Sequence, residues 1–165
     1  MQQAILLNCS QHLTTYTQRV QACLQLLTNG QVWHQPNAAT NSIANLVLHL
    51  CGNLTQYVLS GLGGMPDERQ RDQEFSTRDG RSKEELFQQL QAVVEEVKTV
   101  IGMQDEAALL RTYRVQGFEK TGLAIVLHIT EHYAYHTGQI ALLTKLLTNR
   151  DLGFYQGLDL NRRNG

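Results

Sequence analysis

The apolar residues Leu6, Cys9, Leu13, Tyr16, Val20, Cys23 and Leu27 recur at alternating steps of three and four. That rhythm marks one face of an α-helix about six turns long. A single helix cannot bury such a stripe alone, so the chain must supply other helices to cover it. The spacing predicts a first helix over residues 2–28, with Asn29-Gly30 as its stop.

Three further segments repeat the pattern. Ile43, Leu46, Val47, Leu50, Leu54, Tyr57 and Val58 form the apolar face of a second helix, with Thr40 or Asn41 as its cap. Gly61, Gly63, Gly64 and Pro66 end it. Ser82-Lys83-Glu84-Glu85 has the form of a capping box, and Leu86, Leu90, Val94, Val97 and Ile101 then carry a third helix to about residue 101. A fourth runs from near Thr121 to about Thr148. Between the last two, residues 105–110 suit one or two helical turns, and Tyr113 to Phe118 suits a short edge strand or a packed loop. In the tail, Leu152, Phe154 and Tyr155 are candidate anchors, and the last five residues are expected to fray.

Only two prolines interrupt the 165 residues, and the length fits one domain spanning 1–165. The expected architecture is all-α, a four-helix bundle with a long connection between helices 2 and 3. That connection is strongly charged. Residues 67–85 carry twelve charged side chains of both signs, which reads as a solvated link and not as an anion-binding patch.

Bulk properties exclude several classes. With 14 basic and 15 acidic residues the net charge is −1, so the chain is not a basic nucleic-acid binder. No run of apolar residues is long enough to span a membrane. The first residues lack the basic and apolar regions of a signal peptide. Cys9, Cys23 and Cys51 lack CxxC spacing and read as reduced thiols. A cytoplasmic location is expected.

The fourth helix contains His128, His132 and His136. A step of four rotates only about 40° around a helix, so the three rings share a face with Ile125, Gln139 and Leu143. Imidazoles turned toward a core need partners for both nitrogens. A transition metal satisfies two at once, while tyrosines or carbonyls satisfy them singly, and HxxxH spacing alone permits either. His49 lies mid-way along the second helix at the edge of its apolar stripe, near Asn53, and can face outward or inward. His12 and His34 have no comparable placement and read as surface residues. A three-histidine centre with an open position is of the catalytic kind and lowers the pKa of a bound water or thiol.

The run His128-Ile129-Thr130-Glu131-His132-Tyr133-Ala134-Tyr135-His136-Thr137-Gly138-Gln139-Ile140 resembles the HxxxH-x-GQI signature of the DinB/YfiT-like superfamily of metalloenzymes. Asn45-Leu46-Val47-Leu48-His49-Leu50 is similar to the helix that supplies that family's first histidine. Gly117-Phe118 and the closing Leu146 to Tyr155 are similar to a subgroup of unknown function, and the likeness spans roughly residues 5 to 156. The resemblance implies a four-helix bundle and a divalent metal held by His49, His132 and His136. It leaves His128 outside the ligand set, with Asn53 and Gln139, as a pocket or supporting residue. Zinc and nickel lead as the metal, with iron, cobalt and manganese also admissible.

Relatives in that superfamily include transferases that use low-molecular-weight thiols, such as bacillithiol or glutathione, and a mycothiol-dependent isomerase. A thiol transferase acting on a small molecule is therefore the first functional expectation. A metal-dependent hydrolase, or a non-catalytic, stress-related metal-binding dimer, is the alternative. Asn45, Glu131, Tyr133 and Tyr135 neighbour the ligands; Glu131 is expected to face solvent and Tyr133 the core. Leu123, Leu127, Thr130, Ala134, Thr137 and Ala141 form an uncharged reverse face, to be covered by the same chain or by a second copy. Homodimers are common in the family, and a homodimer is expected.

Overall fold

The computed structural model describes residues 1–163; the last two positions of the expected frayed end, 164 and 165, lie outside the described residues. In chain order the elements are α1 (Gln2–Gln25), α2 (Asn29–Trp33), α3 (Ile43–Leu54) and α4 (Arg71–Ser76). They are followed by α5 (Lys83–Gly102), α6 (Glu106–Leu110), strands β1 (Thr112–Val115) and β2 (Phe118–Thr121), and α7 (Gly122–Thr148). A π-helical segment, Thr55–Ser60, prolongs α3.

The chain is mostly helical. α1 packs against α5 and α7, and α3 packs against the same two. The stripe of α1 meets this arrangement with Leu13, Val20 and Cys23 fully buried. α3 is buried almost all round, because α4 covers the side that α5 and α7 leave free. None of the described helices is long and apolar enough to cross a membrane.

Several boundaries differ from expectation for local reasons. α1 stops at Gln25, and Asn29 opens a new helix in place of ending the old one. Thr28 and Gln31 form a reciprocal capping box there, which outweighs the Asn-Gly stop signal. α3 is capped by Ser42, not by Thr40 or Asn41. Asn45 replaces the usual Glu or Gln of a capping box: its Nα–H donates to Ser42 Oγ at 3.1 Å, and its Oδ1 accepts from the Ser42 backbone at 3.2 Å. At the third helix the expected Ser82–Glu85 box is present.

The segment after α6, expected as a short edge strand or a packed loop, is a pair of strands. β1 and β2 form an antiparallel hairpin pairing Thr112 with Thr121 and Val115 with Phe118. Its turn residues Gln116 and Gly117 both have positive φ, 54° and 80°. This is the left-handed pair that a two-residue hairpin loop requires. Gln116 accepts that conformation while its Oε1 takes a hydrogen bond from Tyr57 Oη at 2.8 Å.

Most of the reverse face of α7 is covered from within. Thr137 is buried, and Leu123 and Ala141 pack on the chain's own core. Leu127, with Tyr135, Leu142 and Leu146, is exposed.

Ser42 is fully buried and caps the helix that carries His49. Ser42→Ala should cost about 1 kcal/mol, seen as a lower urea midpoint with an unchanged m value.

Candidate metal centre

The site is built where α3 faces α7. As α3 runs from His49 to Tyr57, its ring partners on α7 run back from His136 and His132 to His128. Helical spacing on each side brings the side chains to one level. His49 Nε2 and His136 Nε2 each lie 3.1 Å from His132 Nε2. The ligating atoms of these three residues all fall within 4.8 Å of one another, close enough to hold one ion. Three nitrogens around a tetrahedral zinc, each at about 2.0–2.1 Å, would stand about 3.3 Å apart, so little adjustment is needed.

The outer ring nitrogens show what the inner ones can do. His49 Nδ1 donates to Glu74 Oε2 at 2.8 Å, and His136 Nδ1 donates to Gln139 Oε1 at 2.7 Å. A neutral imidazole carries one N–H. With Nδ1 protonated, both rings turn an Nε2 lone pair toward His132. Lone pairs that converge in a half-buried place suit a cation, and an all-nitrogen donor set suits a transition ion. His132 Nδ1 is buried and has no hydrogen-bond partner among the described residues.

Electrostatics agree. Burial and the neighbouring rings of His136, His49 and His128 push the His132 pKa down to about 3. Burial also lowers His136, against an opposing hydrogen bond to Gln139. His128 is lowered by burial and by Lys120. Rings that stay neutral keep lone pairs available to a metal.

The remaining candidates separate by place. Gln139 touches His136, as described. His128 is outside the three-nitrogen group; its ring lies on Tyr57 at 4.5 Å between centroids and 5.5 Å from His132. Asn53 is buried one turn beyond His49, and its Oδ1 has no hydrogen-bond partner among the described residues. Asn45 instead serves the cap of α3 and donates Nδ2 to the carbonyls of Glu74 and Thr77. Glu131 is exposed; Tyr133 is buried, sharing a 2.8 Å hydrogen bond with Thr17. His12 and His34 are exposed and outside the group. All three cysteines are buried and free.

Two important residues come from the connection expected to be solvated. Glu74 is buried against His49, and the Arg69 side chain beside it is only 3% exposed. Burial alone would raise the Glu74 pKa, but hydrogen bonds from Arg69 and His49 hold it below the usual value. Phe75, from the same segment, packs its ring 4.7 Å from that of His49. Periodicity could not single these out, because α4 is one short amphipathic turn within a run of charges.

The fold is that of DinB-like proteins. Similar solved structures include a conserved protein of Enterococcus faecalis (TM-score 0.71, 16% identity, 86% of this chain and 96% of that one). A DinB-like protein of Bacillus subtilis matches at TM-score 0.68 and 17% identity over 90% of this chain and 97% of the other. One from Bacillus cereus matches at 0.65 and 15% over 83% and 89%. The chain belongs to the family described as protein of unknown function (DUF1572), whose model matches residues 1–161. No curated protein matches its sequence.

The lowered histidines make a pH prediction. Their folded pKa values lie below the unfolded 6.5, so the unfolded chain binds more protons in acid. Their contribution is complete above pH 6.5 and is lost as pH falls toward about 3. The urea midpoint of metal-free protein should drop steadily below pH 6.5, and His132→Gln should flatten part of that slope.

Proposed function

We propose that this protein is a metal-dependent enzyme of the DinB type whose ligands are His49, His132 and His136. The observation that carries the reading is the convergence of three Nε2 atoms, two of them on rings whose Nδ1–H is already committed. The four long helices are taken as the superfamily's four-helix bundle, in one domain.

A divalent transition ion held there supplies Lewis acidity that makes thiolate or hydroxide available near neutral pH. The chain's own residues do the rest. Glu74 and Gln139 fix the orientation of two ligand rings. Three neutral imidazoles leave the charge of the ion uncompensated, which favours an anionic nucleophile over a neutral one. We place the polar part of a small substrate beside His128, whose ring lies between Tyr57 and His132. Transfer of a low-molecular-weight thiol to an electrophile is the favoured reaction; hydrolysis needs the same centre with water as the nucleophile.

Elemental analysis should find about one zinc, nickel or similar ion per folded chain, and none in His132→Ala. Equal metal content in the two would sink the ligand assignment. Metal-loaded protein should turn over chlorodinitrobenzene or fosfomycin with at least one thiol of a panel, and lose that activity in His136→Ala. Turnover of ester substrates alone would move the reading to hydrolysis.

We also take the protein to be a cytoplasmic homodimer, supported by its buried free thiols and by Leu127, Tyr135, Leu142 and Leu146 exposed along α7. Light scattering should give twice the 18.6 kDa chain mass; the monomer mass would contradict it.

A further inference from the structure

The charged connection is tied to the site by one carboxylate. Arg69 grips Glu74 with two parallel hydrogen bonds, Nε to Oε1 at 2.7 Å and Nη2 to Oε2 at 2.9 Å. The planar fork leaves the carboxylate little freedom to rotate. Arg69 Nη1 also donates to Gln56 Oε1 at 2.8 Å, anchoring the pair to the π-helical segment. On the other side the carboxylate lies directly on the backbone of α3 at Gly52. A Cβ at that position would collide with Glu74 Oε1. Only glycine admits the carboxylate so close to the helix that carries His49.

The segment that brings Glu74 is not self-supporting. α4 has six residues, far below the length at which an isolated helix is stable. Among the described residues, the long-range side-chain hydrogen bonds of residues 69–77 end on Asn45, His49 and Gln56, all on α3 or its π-helical extension, beside local ones with Asp67 and Arg78. His49 is therefore shared: Nδ1 holds the connection and Nε2 faces the other two rings. A cation on Nε2 draws electron density from the ring and strengthens the Nδ1–H bond to Glu74. Glu74 in turn makes Nε2 a better donor and keeps the ring turned inward.

We propose that Glu74 is the positioning residue of this centre, so that metal binding and the docking of residues 69–77 onto α3 form one coupled equilibrium. This rests on the reading that the three histidines bind a divalent ion. Linkage makes the effect reciprocal: the factor by which docking raises metal affinity is the factor by which metal favours docking.

The test is a zinc titration against a competing chromophoric chelator, with hydrogen exchange of the wild-type chain with and without zinc. Glu74→Gln keeps the shape but removes the charge, and should weaken zinc about 10–100-fold. In a His49→Ala background the same change should weaken zinc no further, because Glu74 acts through His49; a mere packing role would cost the same in both. Gly52→Ala should reproduce the loss from the α3 side. In the wild type, zinc should slow amide exchange across residues 69–77. Glu74→Gln binding zinc as tightly as wild type, or losing as much in the His49→Ala background, overturns the proposal. Should Glu74→Gln not fold, unchanged exchange of residues 69–77 on adding zinc to wild type overturns it equally. A wild-type chain that binds no zinc, nickel or cobalt would instead remove the metal reading itself.

Discussion

Two helices here bring two imidazole nitrogens to 3.1 Å from a third, and that contact conditions the rest of the structure. Lone pairs facing one another in a half-buried space repel unless a proton or a cation lies between them. Protonation is disfavoured, since burial and mutual repulsion depress the central ring. The surrounding parts serve to hold the rings in place against this cost. α7 carries two of them on a 27-residue helix, α3 carries the third with a buried cap, and α5 backs α3 while α1 backs α7.

Support around the three rings is unequal. His49 has a charged partner, itself gripped by an arginine. His136 has a neutral amide from its own helix, one turn on. His132 has none. A carboxylate raises the basicity of a ligand ring more than an amide does, so the three donors are graded in strength. The strongest comes from the helix with the most outside support and the weakest stands in the middle. Beyond His132 on α7, the ring of His128 lies between it and Tyr57.

Much of this was legible in the sequence. Period-3.6 stripes mark the four long helices, and the i, i+4 pair His132 and His136 shares a face by arithmetic alone. His49 was ambiguous because a helix-edge position can turn either way; α4 decides it by covering that edge. The hairpin was only half visible, since Gln116 gives no sign of a positive φ that its tie to Tyr57 supports. Arg69 and Glu74 were hidden for a deeper reason. Charge density reads as solvation only when opposite charges are not close enough to bury each other, and that is a property of three-dimensional pairing. Gly52, inside a helix where glycine is unfavourable, was the one local clue that something approaches α3 closely.

The π-helical stretch Thr55–Ser60 widens the last turns of α3. An α-helix advances about 100° per residue, so a single extra residue absorbed there swings everything beyond it by about that angle. Gln56 thereby meets Arg69 on one side while Tyr57 meets His128 and Gln116 on another. The widened turn is a gear change: upstream of it α3 is indexed to the three-histidine group, and within it to Arg69, His128 and Gln116. The two halves of the site can thus be re-aimed independently, because one helix serves both without having to satisfy a single period.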